Sequence, residues 1–141
     1  MCMNTQVLRS WCKGTAGLAL GEIALMRTKS HLQMRESART MLKLTGDSTL
    51  SETDDLCCGN CGRIDVLIHA ANKLQEPAYL ESAAELASRV IERAKHKGRY
   101  SFRHEQKEGI DPRLFPGIAG IGYSFMRILA ANSIPCIVTM D

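Results

Sequence analysis

Cys12-Lys13-Gly14-Thr15-Ala16-Gly17-Leu18-Ala19-Leu20, Cys58-Gly59-Asn60-Cys61-Gly62-Arg63-Ile64-Asp65-Val66-Leu67 and Phe115-Pro116-Gly117-Ile118-Ala119-Gly120-Ile121-Gly122-Tyr123 share one pattern, a Gly-x-x-Gly step that leads straight into an apolar, helix-like run. Self-similarity of this kind marks a repeat architecture. Gly14 to Gly59 is 45 residues and Gly59 to Gly117 is 58, the right span for one helical hairpin per repeat. Glycine before and inside the first turn lets a neighbouring backbone come close.

The intervening segments fit that plan. Residues 18–27 are apolar on most faces, as a buried helix is. Residues 30–44 are amphipathic, with Leu32, Ala38, Met41 and Leu42 set against Arg35, Glu36, Arg39 and Lys43; Ser30 is a candidate N-cap and Gly46 a terminator. A polar loop spans 46–55, and 64–74 is again mostly apolar. Pro77 opens the next helix at a tolerated position, with Leu80, Ala83, Ala84, Ala87, Val90 and Ile91 as its buried stripe up to Gly98. Residues 99–114 read as irregular with a short extended piece at 99–103, 118–131 as a last buried helix, and 133–140 as a short apolar tail. Buried inner helices alternate with amphipathic outer ones. The expected fold is all-α, a two-layered array whose closed form is an α/α toroid and of which three repeats make only an arc.

The 141 residues are 45% hydrophobic and 23% charged, ordinary for a globular domain with a real core. A net charge of +3 is mild, and the one basic run, Arg93, Lys95, Lys97 and Arg99, reads as the solvated end of a helix. With 5% aromatics there is no stacking platform for single strands, so nucleic acid is not an expected partner. No apolar run approaches the ~20 residues of a membrane span, and residues 1–6 do not resemble a secretory signal. The expected location is cytoplasmic, where thiols stay reduced and six cysteines suggest metal or reactive thiols before disulfides.

Cys12 stands just before the first inner helix and Cys57-Cys58 just before the second. If inner helices start at one end of the array, the three sulfurs meet there. Thiolates are soft ligands that select zinc, and three of them leave one tetrahedral position open, as in catalytic sites. An open zinc can bind and deprotonate a substrate thiol. The rival is plain packing, because cysteine is among the most often buried residues. Packing is the reading for Cys61, in the first turn of the second inner helix, and it suffices for Cys2 and Cys136. Cys58-x-x-Cys61 also has zinc-knuckle or redox spacing, but a second such pair is lacking. Spacing alone leaves zinc and packing both standing.

Read as words, these segments resemble the lanthionine synthetase C-like family, the zinc-dependent cyclases of lanthipeptide biosynthesis. Trp11-Cys12-Lys13-Gly14-Thr15-Ala16-Gly17 is similar to its Trp-Cys-x-Gly-x-x-Gly motif, and Cys57-Cys58-Gly59-Asn60-Cys61-Gly62 to its second metal motif, where many members have Cys-His-Gly. The Cys-Cys-Gly form, and the ending from Asp111 through Phe115-Pro116-Gly117 to Tyr123, resemble the bifunctional class II synthetases with an all-cysteine zinc site. The resemblance covers essentially the whole chain. It implies an α/α toroid of seven inner and seven outer helices, zinc held by Cys12, Cys57 and Cys58, and addition of a peptide cysteine to dehydroalanine or dehydrobutyrine to form a thioether ring.

It also marks what is different here. About three of the seven repeats are present, so residues 1–141 read as a C-terminal fragment of a cyclase domain. The family's catalytic His and Asp have no counterpart, since His31, His69, His96 and His104 lie outside the motifs; His69 reads as a core histidine. Arg9, three residues before Cys12, is the candidate for a functional arginine of the family, with a solvated or helix-lining role as its rival. Lys13 replaces an expected His or aromatic residue. No phosphate-cradling loop resembles the dehydratase half of a bifunctional enzyme. The expected partners are a dehydrated precursor peptide and a chain carrying the missing repeats or the dehydratase domain. The alternative expectation is a non-catalytic zinc- or thiol-peptide-binding module, or a degenerate remnant.

Overall fold

The computed structural model describes residues 8–26, 32–103 and 110–140. Cys2, His31, His104 and the candidate cap Ser30 lie outside the described residues. Within them are five α-helices and no strand: α1 (Thr15–Met26), α2 (Leu32–Thr45), α3 (Asn60–Leu74), α4 (Ala78–Lys97) and α5 (Ile118–Leu129). Their ends obey local chemistry. The Gly46 N–H donates to Leu42 O at 2.8 Å to close α2. Pro77 opens α4, and Gly98, at φ 72°, ends it in the left-handed region that glycine enters freely. The extended piece expected at 99–103 is not a strand: Ser101 is held by Asp54, whose N–H donates to Ser101 O at 2.7 Å while its carboxylate accepts the Ser101 N–H at 2.9 Å. No helix among the described residues is long and apolar enough to cross a membrane.

α1 packs on α2 and α3 on α4, as hairpins do, while α3 also packs on α1, α5 and α2. The inner layer is therefore α1, α3 and α5, and α2 and α4 cover it. The third repeat has its inner helix but no outer one among the described residues. α3 is the centre: Ile64, Val66, Leu67 and Ile68 are wholly buried, each stabilising by roughly 1.5–3 kcal/mol. The flanking inner helices are not buried all round as their composition suggested. Leu18 and Leu25 on α1 are 60% and 53% exposed, and Met126 and Leu129 on α5 are 55% and 88% exposed. Leu32, expected on the buried stripe of α2, is exposed too, in the helix's first turn.

The repeated glycines have one physical explanation. After the first glycine of each pair, a backbone N–H reaches back seven residues: Thr15 to Leu8 O at 2.9 Å, Asn60 to Thr53 O at 3.0 Å, Ile118 to Asp111 O at 2.8 Å. At the second, a Cβ would overlap the carbonyl six residues back, Trp11 O at Gly17, Leu56 O at Gly62 and Leu114 O at Gly120. The space at that glycine also receives the neighbouring repeat. A Cβ at Gly62 would meet the Trp11 ring at 2.9 Å, and one at Gly120 would meet Leu56 Cβ at 2.8 Å. Each loop thus folds tightly onto its own helix and lays one side chain on the next.

Three arginines staple the layers, Arg63 and Arg127 buried and Arg93 half-buried. Arg63 on α3 donates to Thr45 O at 2.9 Å and Thr49 O at 2.8 Å, satisfying carbonyls at and beyond the end of α2. Arg127 on α5 pairs with Asp65 on α3, both essentially fully buried, and donates to Ile134 O at 3.2 Å. Arg93, read from sequence as part of a solvated run, instead pairs with buried Asp54 and donates to Ser51 O at 2.7 Å. Lys95 and Lys97 are exposed, as that reading had them.

Gly120→Ala should destabilise by about 2 kcal/mol or more, since backbone must move. Gly122→Ala, in the same helix with nothing within 4 Å of an added Cβ, should be neutral or stabilising by up to about 1 kcal/mol. Asp65→Ala leaves Arg127 buried and unpaired and should cost about 3–5 kcal/mol. Urea unfolding midpoints of the three variants check these values.

Candidate metal centre

The loops that fold back onto α1 and α3 carry the cysteines, and both loops lie at one end of the array. Cys12 Sγ is 2.9 Å from Cys58 Sγ, and Cys58 Sγ is 3.4 Å from Cys57 Sγ. All three sulfurs lie within 4.8 Å of one another, with Cys12 exposed and Cys57 and Cys58 half-buried. That is the scale of a single ion bound at about 2.3 Å per Zn–S bond. A set of three soft donors, reachable from solvent on the Cys12 side, fits zinc and leaves room for a fourth ligand.

Each cysteine loop has its own anchors. The Cys57 N–H donates to Phe115 O at 3.0 Å, tying it to the third repeat. The Cys58 N–H donates to Asp55 Oδ1 at 2.8 Å. Beside Cys12, Trp11 Nε1 donates to Leu56 O at 2.9 Å, and its ring centroid is 6.3 Å from that of Phe115. The first and second cysteine loops are therefore fastened through backbone groups of neighbouring repeats.

The sulfurs are electrostatically unequal. Burial works against a Cys12 thiolate, but hydrogen bonding with Cys58 and with Ser10 Oγ, 3.6 Å away, outweighs it and lowers its pKa from the usual thiol value. Burial, followed by hydrogen bonding and repulsion from its two neighbours, pushes Cys58 up to about 12. A thiolate forms more readily at Cys12 than at Cys58, whose charge a cation would offset.

Cys61 is wholly buried on α3, outside the sulfur group, and burial first, then nearby Asp54, raises its pKa further. A fourth-ligand role for Cys61 is not what this arrangement offers. Arg9 donates Nε to Leu44 O at 3.2 Å and lies 3.6 Å from Asp47 Oδ1; these contacts fasten its loop to the end of α2. His69 is buried and lines a cavity of about 350 Å³ with Leu20, Ile23 and Lys73. That cavity lies towards the C-terminal ends of α1 and α3, so it is at the end opposite the sulfurs. Lys13 and His96 are exposed. Sequence reading passed over Asp55 and Asp54, treating 46–55 as a polar loop; two adjacent carboxylates directly before Leu56-Cys57-Cys58 were the available signal.

A family model described as lanthionine synthetase C-like protein matches residues 3–139. No curated protein matches the chain.

Metal must displace the proton that Cys58 holds, so affinity should rise with pH and fall on acidification, by on the order of tenfold per pH unit for each proton displaced. Zinc competition against a chelator at about pH 8 and about pH 6, with proton release measured in two buffers, checks the sign and the proton count.

Proposed function

The chain belongs to the lanthionine synthetase C-like family, and on that premise we propose that it is the zinc-binding C-terminal cyclase region of a class II synthetase. The observation that carries this reading is the convergence of Cys12, Cys57 and Cys58 from two repeats onto one solvent-reachable point. These residues would hold the metal. When bound, zinc supplies a soft Lewis acid that lowers the pKa of a coordinating thiol.

The substrate is a dehydrated precursor peptide. Its cysteine sulfur bonds to the β-carbon of dehydroalanine or dehydrobutyrine, the double bond is lost, and the α-carbon gains a proton, giving a thioether ring. The loops contribute by fixing where the sulfurs stand, through Phe115 O, Asp55 and the Trp11 side chain. Arg9 supports the first loop from the end of α2. His69, at the far end of α3, is not positioned to deliver that proton, so proton handling is assigned to the missing repeats, in this chain or in a partner.

Support for such a partner comes from repeat equivalence. Leu18, Gly21 and Leu25, open on α1, occupy the positions that α5 covers wholly or partly as Ile121, Ser124 and Ile128. Met126 and Leu129, open on α5, occupy the positions that α1 covers wholly or partly as Ile23 and Met26. Both open faces are thus faces that this array elsewhere uses for inner-helix packing, and exposed apolar faces recruit neighbours.

Metal analysis of the purified chain should give about one zinc per chain, as expected for one thiolate site. Cys12→Ala, Cys57→Ala and Cys58→Ala should each lose it, and Cys61→Ala should keep it. Co-expressed with the missing repeats and given a dehydrated peptide, the chain should consume alkylatable peptide thiol. A folded wild-type chain without zinc would sink the reading; zinc without thiol consumption in the assembled complex would leave a non-catalytic metal module.

A further inference from the structure

Four aspartates are almost completely buried: Asp54, Asp55, Asp65 and Asp111. Three of them pair with an arginine, Asp54 with Arg93, Asp65 with Arg127 and Asp111 with Arg113. Asp55, 2% exposed, has no such partner among the described residues. Its Oδ1 accepts the Cys58 N–H at 2.8 Å, and its Oδ2 is buried with no hydrogen-bond partner. A carboxylate oxygen buried without a donor is unfavourable, and native chains keep such groups chiefly where function requires them.

The repeats make the placement more specific. Asp55 stands four residues before Gly59, the position held by Ser10 before Gly14 and by Arg113 before Gly117. Ser10 Oγ lies 3.6 Å from Cys12 Sγ. Arg113, in the one glycine loop without a cysteine, turns to Asp111, with Nη2 to Oδ2 at 2.7 Å. The position therefore presents a group to a cysteine only in the two repeats that carry the sulfurs.

We propose that Asp55 is a positioning residue of the three-thiolate centre, which by holding the Cys58 N–H sets the direction from which the Cys58 sulfur meets Cys12. The role rests on the metal-binding reading above. Cys57 is fixed by Phe115 O and the first loop by Trp11, so Asp55 supplies the remaining constraint, that on Cys58. Groups of this kind outside the ligand set orient ligands, and their loss weakens metal binding by about 10- to 100-fold.

Cobalt(II) is the probe, read by its thiolate charge-transfer absorption and by chelator competition, with circular dichroism as the check on folding. Asp55→Ala should weaken cobalt binding by about 10- to 100-fold and reduce the charge-transfer intensity per ion. Asp55→Asn keeps an acceptor oxygen in place and should stay close to wild type. Asp55→Glu keeps the charge but displaces the acceptor and should bind weakly. Folded Ala and Glu variants with wild-type affinity and spectrum would overturn the proposal, as would an Asn variant as weak as Ala, which would assign the effect to charge. If Ala does not fold, the contrast between Asn and Glu decides. A wild-type chain that binds no cobalt is a separate failure, of the metal reading itself, and the proposal falls with it.

Discussion

At Gly62 and Gly120 the carbonyl oxygens of Leu56 and Leu114 come so near the helix start that no side chain fits between them, and Gly17 stands in the same relation to Trp11. Much else follows from this contact. It forces six residues to fold back over the first turn of each inner helix, which puts Trp11, Leu56 and Leu114 at equivalent places. The same compactness lets Trp11 lie on Gly62 and Leu56 on Gly120, so that the register between repeats is set by the residues that close each loop. Cys12, Cys57 and Cys58 stand inside these folded loops. Their convergence is a consequence of the glycine contacts together with the shared end of α1 and α3.

A second layer of constraint is ionic. Buried ion pairs are not an efficient source of net stability, because desolvation offsets much of their attraction, but they are intolerant of misalignment. Arg127 with Asp65, and Arg93 with Asp54, join elements far apart in sequence, α5 to α3 and α4 to the loop before α3. The second of these pairs also engages Asn60 Nδ2, at 2.9 Å from Asp54 Oδ1, and holds Ser101. The loop beneath the sulfurs is thereby locked from the outer layer as well as from its neighbours along the array.

The sulfur group itself is poised between two charge states. Hydrogen bonds outweigh burial and lower the Cys12 pKa from the ordinary thiol value, while burial and its neighbours raise that of Cys58, so a first negative charge is favoured at Cys12 and a second or third is resisted. A dication reverses that preference, because each further thiolate then gains attraction. This is the sense in which a three-cysteine cluster, half open to solvent, is chemically matched to a soft metal and to an incoming thiol.

The sequence by itself determined the all-helical class, the inner and outer alternation, the glycine steps and the three cysteines, because each depends on spacing along the chain: helical period, Cβ absence, and loops of similar length. It also located the ends of α2 and α4 at Gly46 and Gly98, where local backbone geometry governs. Only the tertiary structure decided what lies across space. Arg93 looked solvated among lysines, but Asp54 lies beneath it, and the apolar residues of α1 and α5 looked buried, but among the described residues each helix has an inner neighbour on one flank only. Asp55 stood out in the sequence only as one of two carboxylates just before Leu56-Cys57-Cys58, and which of the pair holds the Cys58 N–H and which pairs with Arg93 depends on what each one faces. Local geometry is written in short-range pattern; burial and pairing depend on which distant segments arrive, and one chain position does not encode its neighbour's address.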